Sequence, residues 1–262
     1  MLRPRIIPTL LVRNKGLVKT VKFGSSKYVG DPINAVRIFN EKEVDELIVL
    51  DIDATTTGAG PDFGMIQKLA AECRMPLCYG GGIKTVAQAK TIIALGVEKV
   101  ALSSAAINNP DLVTRIAEEI GSQSVVVVLD VKRRLLGARY EVYTHNAKTS
   151  TGHCPIDFAW KLQEVGAGEI VINSIDNDGE MKGYDLMLAG KIREACTVPM
   201  TVLGGAGSLQ DIGQLINRFG IVGAAAGSLF VFKGIYKAVL INYPTPAEKD
   251  KVIADNYPVL RI

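Results

Sequence analysis

Two periodicities and one long-range repeat predict an α/β fold, a (β/α)8 or TIM barrel built from two similar half-barrels. Short apolar, β-branched runs alternate along the 262 residues with longer segments whose apolar positions recur at three and four. The runs are what parallel strands covered on both faces require, and the segments are helices with one buried face. The repeat fixes the arrangement. RIIPTLLV (5–12) reads like SVVVVLDV (124–131), PLCYGGG (76–82) like PMTVLGG (199–205), and GVEKVALSS (96–104) like GIVGAAAGS (220–228). One domain over 1–262 is expected, with half-barrels at about 1–120 and 121–243 and a tail at 244–262. The repeat has one mismatch of chemical weight: Leu11 stands where the second half places Asp130.

Taken in order, the expected strands are 5–12, 46–51, 77–79, 99–102, 124–130, 169–173, 200–203 and 223–226. Helices are expected at 63–72, 86–95, 112–120, 156–164, 184–195 and 209–219. Asp111 after Pro110 and Ser208 before Leu209 mark helix starts, and Gly96, Gly121, Gly166 and Gly220 fall where helices stop. Two insertions follow the first and fifth strands, at the strand ends where barrels carry their chemistry. Residues 15–30 are Gly-, Ser- and Lys-rich with alternation over 17–23, and read as a surface loop or a mobile lid. Residues 132–143 read as a hairpin around 136–138. The polar, Pro-containing tail suits no particular role.

At 48% hydrophobic and 22% charged the chain is long enough for one large core. A net charge of +3 with no basic run argues against nucleic acid or an anionic membrane as partner and leaves anionic small molecules open. Four cysteines without a C-x-x-C pair, beside two histidines, imply neither metal site nor disulfide framework but reduced cytosolic thiols. The apolar run in MLRPRIIPTLLV is too short for a signal peptide or a membrane span. A cytoplasmic protein is expected.

Glycines and hydroxyls follow four strands. Gly81 and Gly82 follow the third, Ser103 and Ser104 the fourth, Gly204 and Gly205 the seventh, and Gly227 and Ser228 the eighth. Glycine lets backbone N–H groups approach an anion, and hydroxyls add donors. Two such seats, related by the repeat, imply a ligand with a phosphate at each end. Carboxylates at the same face, Asp51, Asp53, Asp130, Asp176 and Asp178, are candidates for proton transfer or ligand contact. Asp130 leads them, because it ends an otherwise apolar run beside Lys132 and the hairpin. Lys19, in the first insertion, is placed to close over a phosphate. At the opposite strand ends stand Arg5, Glu46, Lys99 and Glu169, two charges of each sign that would pair at the barrel's bottom. As a pattern they read as a salt-bridged plug, or as a device for specificity or switching.

Together these residues resemble the cyclase subunit of imidazole glycerol phosphate synthase over 1–243. The resemblance rests on RIIP (5–8), VDEL (44–47), GGGI (80–83), GSQSVVVVLDVKR (121–133), NSIDNDG (173–179), GYD (183–185) and GGAG (204–207). It implies a lyase-type synthase subunit of a glutamine amidotransferase, without metal or organic cofactor. A glutaminase subunit would dock on the N-terminal face and pass ammonia through the barrel to a bis-phosphorylated ligand at the top. Gly81, Gly82 and Ser104 would then hold one phosphate, and Gly204, Gly205, Gly227 and Ser228 the other. Lys19, Asp51, Ser103 and Asp176 complete the expected ligand set. Arg5, Glu46, Lys99 and Glu169 become the gate of the ammonia passage, which replaces the plug reading.

Leu11 departs from the family's pattern, which keeps an aspartate there to share acid–base work with the partner retained here as Asp130. A leucine moves no proton. The sequence is therefore similar to the diverged branch whose members work with a glutaminase and a third protein to convert a surface-polysaccharide sugar's acetamido group into an acetamidino group. A working histidine-pathway cyclase and a non-catalytic scaffold or activator of the glutaminase are the alternatives.

Overall fold

The computed structural model describes residues 3–134 and 139–257. Among them, eight parallel strands pair in chain order and close on themselves. They are β1 (Arg5–Arg13), β2 (Leu47–Asp51), β3 (Leu77–Gly80), β4 (Lys99–Leu102), β5 (Val125–Arg133), β6 (Glu169–Ser174), β7 (Met200–Leu203) and β8 (Gly223–Ala226). The ring closes where β8 meets β1, with Arg5 opposite Gly223 and Pro8 opposite Ala226. The expected (β/α)8 barrel is the observed fold, and each expected strand is present within a few residues of its bounds.

Helices cover the outside: α1 (Pro32–Glu41), α2 (Phe63–Glu72), α3 (Val86–Ala94), α4 (Asp111–Ile120), α5 (Pro155–Glu164), α6 (Leu186–Ala195), α7 (Leu209–Phe219) and α8 (Pro246–Asn256). Ser208 caps α7 with a reciprocal bond to Asp211, and Thr85 does the same for α3 through Gln88. Gly96, Gly121, Gly166 and Gly220 follow α3, α4, α5 and α7 with φ of +101°, +85°, +101° and +65°, a turn that side-chain-bearing residues resist. α1 lies outside the helices expected from periodicity. It is a ten-residue helix started by Asp31 and Pro32, and it buries only Pro32, Ala35, Val36 and Phe39, too few anchors for a clear period.

Two regions differ from expectation. The first insertion is not a loose loop. Gly16–Lys19 pairs antiparallel with β1, Leu11 opposite Val18, and Lys27–Gly30 pairs with it in turn. Leu17, Val18 and Val29 are buried, and the expected alternation over 17–23 reduces to the short strand Gly16–Lys19, buried without a break from Leu17 to Thr20 and followed by a turn. The tail also has a place. α8 packs on α7 and buries Ile253, while Lys249 donates to Asp45 Oδ1 at 2.7 Å and the Tyr243 hydroxyl to Ile6 O at 2.8 Å. The second insertion is a hairpin: β5 continues to Arg133 and pairs with Tyr140–Thr144. Its expected centre at 136–138 lies outside the described residues.

Because side chains alternate along a strand, every second residue points into the barrel. Closure turns that period into floors. Arg5, Glu46, Lys99, Glu169 and Thr201 meet at the N-terminal end. Above them Ile7, Ile48, Cys78, Ala101, Val126, Val128, Val171, Leu203 and Ala225 fill an apolar middle. Leu11, Asp130 and Asn173 reach the C-terminal end. The floors depend on the helical jacket for closure, the tail included. Ile253→Ala should therefore cost about 2–4 kcal/mol in urea unfolding; no loss would mean that α8 is separable from the barrel.

Candidate functional site

A cavity of about 330 Å³ opens at the C-terminal ends of the strands, large enough for a small phosphorylated metabolite. Gly81, Gly82, Ser103 and Ser104 line one side, after β3 and β4. Gly204, Gly205, Gly227 and Ser228 line the other, after β7 and β8. Strands three and four face strands seven and eight across an eight-stranded ring, so the two seats oppose one another. Close approach explains two of these glycines. A methyl group at 81, where φ is +126°, would lie 2.6 Å from the Asp51 carbonyl, and one at 227 would lie 1.8 Å from Lys19 Nζ.

Lys19 is accordingly neither solvated nor on a loose lid. It is 6% exposed, donates to the Thr9 carbonyl at 3.0 Å and lies beside the Gly227 seat. Burial pulls its pKa down to about 8 against the opposing pull of Asp178. Its amino group thus sits in the cavity wall beside the Gly227 turn and titrates near pH 8.

Asp130, from β5, points into the same cavity. Burial raises its pKa to about 7; the amide of Asn173, donating to Oδ1 at 2.9 Å, works against the rise and the charge of Asp178 with it. A carboxyl group near neutrality accepts or gives a proton with little penalty. Across the ring, β1 presents Leu11, which pairs in register with Leu50 of β2. That wall of the cavity has no proton acceptor at position 11.

The other carboxylates divide. Asp51 lines the cavity and accepts the N–H groups of Asp53 and Ala54 at 3.0 and 3.1 Å, which offset part of the upward pull of burial. Asp53 is held by Arg13 in a two-pronged pair at 2.9 and 3.0 Å. Asp176, at the same end of the barrel, accepts the Arg133 N–H at 2.7 Å and so anchors the end of β5. Asp178 faces the cavity and accepts from Thr20 Oγ1 at 2.8 Å. Both lie in one tight loop, and its turn decides which faces inward. Sequence reasoning also passed over Thr9, His145, Asn146 and Asn173, all in the cavity wall. Asn146 donates to Ile52 O at 2.9 Å, so the hairpin after β5 reaches across to the loop after β2. Thr9 Oγ1 and Asn173 Oδ1 are buried without a hydrogen-bond partner. Thr9 and Asn173, polar residues within largely apolar strands, were the available signal; His145 and Asn146 lie in the turn after Tyr140–Thr144 and offered none.

At the opposite mouth the four charges close a ring of alternating sign. Arg5 Nη1 donates to Glu46 Oε2 and Nη2 to Glu169 Oε1, the latter at 2.8 Å. Lys99 Nζ bridges Glu46 Oε1 at 2.8 Å and Glu169 Oε2 at 2.9 Å. Burial alone would favour the neutral forms. The two cations outweigh it for Glu169 and hold it down at about 2, and the carboxylates likewise keep Arg5 and Lys99 raised. All three stay charged at neutral pH.

Among the described residues no group of three or more His, Cys, Asp or Glu is placed to hold a metal ion, and no helix is long and apolar enough to cross a membrane. The four cysteines are free thiols.

Residues 5–237 match the family model described as histidine biosynthesis protein. The chain is 60% identical over 253 residues, 97% of each chain, to a Vibrio vulnificus protein provisionally named imidazole glycerol phosphate synthase subunit hisF3. It is 51% identical to a Pseudomonas aeruginosa protein provisionally named subunit hisF2, over 93% of this chain and 97% of that one. To the imidazole glycerol phosphate synthase subunit HisF of Alkaliphilus metalliredigens it is 39% identical, over 90% and 93%.

The raised pKa of Asp130 has a stability consequence. Between the usual aspartate range and pH 7 the folded chain binds more protons than the unfolded one, so stability falls as pH rises through that window. Asp130→Asn should remove the fall, matching the parent near pH 4 and exceeding it at pH 8 by on the order of 4 kcal/mol. Parallel pH series of urea melts would show a constant gap if Asp130 titrates normally.

Proposed function

The chain belongs to the family of histidine biosynthesis proteins, and from that premise we propose that it is the ammonia-handling synthase subunit of a glutamine-dependent amidotransferase. The observation that carries this reading is the closed ring of four charges beneath an apolar lumen that ends at Asp130. A glutaminase docked on the N-terminal face would release ammonia against the ring. Neutral ammonia crosses an apolar layer that ammonium, a charged ion, enters only at great cost. The apolar middle thus selects the neutral form, and the ring closes its entrance. At the top, Asp130 would take the proton that nitrogen loses when it attacks a carbonyl-type carbon. The two glycine seats and Lys19 would hold an anionic acceptor in reach.

Position 11 separates this chain from a two-carboxylate proton relay. With Leu11 in place one carboxyl remains, and a two-step transfer of protons loses a participant, at a cost of orders of magnitude in rate. We therefore place the chain in the branch that supports surface-polysaccharide sugar amidation, acetamido to acetamidino, where another protein supplies the acceptor. A second reading, a working histidine-pathway cyclase, draws on one observation: an Asp130 pKa of about 7 suits one group that both takes and returns a proton.

Arg5→Ala opens the ring without touching the cavity. In the complex with the glutaminase, amidation from glutamine should fall severalfold while amidation from added ammonium holds. Equal losses in both would make Arg5 structural. A second expectation concerns Lys19, whose charge is lost as pH rises through about 8. Affinity for a phosphate monoester, followed by calorimetry, should drop about tenfold between pH 7 and 9; a flat profile would remove Lys19 from the anion seat.

A further inference from the structure

The four-charge ring has a neighbour that carries no charge. Thr201 lies on β7, fully buried, and its hydroxyl donates to Glu169 Oε1 at 2.5 Å; Arg5 Nη2 lies 3.4 Å from the same hydroxyl. β8 makes room for it. Gly223 pairs in register with Arg5 on one side and Thr201 on the other, and a methyl group there would lie 1.9 Å from Thr201 Oγ1. The hydroxyl and the missing side chain are therefore one device, split between two strands.

The device makes the ring asymmetric. Each Glu46 oxygen has one partner, Arg5 for Oε2 and Lys99 for Oε1. Glu169 Oε2 has Lys99, but Oε1 has both Arg5 and Thr201. Withdrawal of Lys99 would strip one oxygen from each carboxylate. Withdrawal of Arg5 strips only Glu46 Oε2, because Thr201 still serves Glu169. A buried carboxylate oxygen without a donor is costly, so the second path is the cheaper one. Arg5 also has the most exposed side chain of the four, 26% against 19% for Lys99, 5% for Glu46 and 6% for Glu169.

We propose that Thr201 is a positioning residue of the ring, a hydroxyl that keeps the Glu169 carboxylate seated when Arg5 swings out, so that the N-terminal mouth opens by movement of Arg5 alone. The use of that opening rests on the ammonia-gate reading above; the seating of Glu169 does not.

Crystal structures of Arg5→Ala and of Arg5→Ala combined with Thr201→Val or Thr201→Ser test it directly. Valine matches threonine in shape and lacks the donor. In Arg5→Ala the Glu169 carboxylate should stay against the Thr201 hydroxyl. With Thr201→Val it should turn away, and with Thr201→Ser it should return. An unmoved Glu169 in the valine variant would overturn the proposal. Carboxyl ¹³C titration of Glu169 in chains that keep Arg5 gives a readout in solution. Thr201→Val should raise its midpoint by about one unit and Thr201→Ser should restore it; no shift would count against the role. Failure of the gate would appear elsewhere, as equal loss of both nitrogen sources in Arg5→Ala, with Glu169 still seated by Thr201.

Discussion

Closure of eight parallel strands is the constraint on which the rest depends. It makes the period of two along each strand a vertical coordinate, so a residue's place in its strand sets its height in the barrel. Arg5, Glu46 and Glu169, at or next to the first position of their strands, meet in one ring although up to 164 residues separate them. The apolar residues two positions on fill the middle of the barrel. Six positions above Arg5 comes Leu11, and four above Glu169 comes Asn173, both in the cavity wall. The same closure sets β3 and β4 against β7 and β8, so the glycine and serine turns after those strands face one another across the cavity.

The ring and the cavity handle charge in opposite ways. In the ring, attraction between neighbours overcomes desolvation and Arg5, Lys99 and Glu169 stay ionised, Glu169 at about 2. In the cavity, desolvation prevails. Asp130 rises to about 7 and Lys19 falls to about 8, so each titrates near physiological pH. Ring and cavity are thus two different electrostatic environments within one barrel. The apolar layer between them keeps the two apart.

Much of this was legible in the sequence because it was written in strand positions. A charge at the start of an apolar run and a carboxylate at the end of one, such as Glu169 and Asp130, have few other places to go in a closed barrel. Loops were less readable. Asp176 and Asp178 are two residues apart, and the turn between them decides that Asp178 faces the cavity while Asp176 caps the end of β5. Lys19 looked mobile because its segment is Gly- and Lys-rich. Pairing with β1 buries it, a long-range consequence that composition does not carry. Thr201 sits in PMTVL, where one threonine among apolar residues is unremarkable until Gly223 is placed beside it. The tail was opaque because α8 is polar overall and presents few apolar anchors, Ile253 chief among them, to the helix it packs on.

Leu11 bears the heaviest part of the proposal: on that reading the charged floor, apolar middle and glycine turns belong to a subunit that delivers nitrogen, and position 11 lacks the second proton carrier of a cyclase. The most direct measurement is ammonium-dependent turnover of the cyclase's phosphoribulosyl-formimino ribonucleotide substrate by this chain, beside its Leu11→Asp variant. The account predicts no turnover by the unaltered chain and a partial gain in the variant. Clear turnover by the unaltered chain would contradict it, and would mean that the proton-transfer role of position 11 has passed to another group in the cavity.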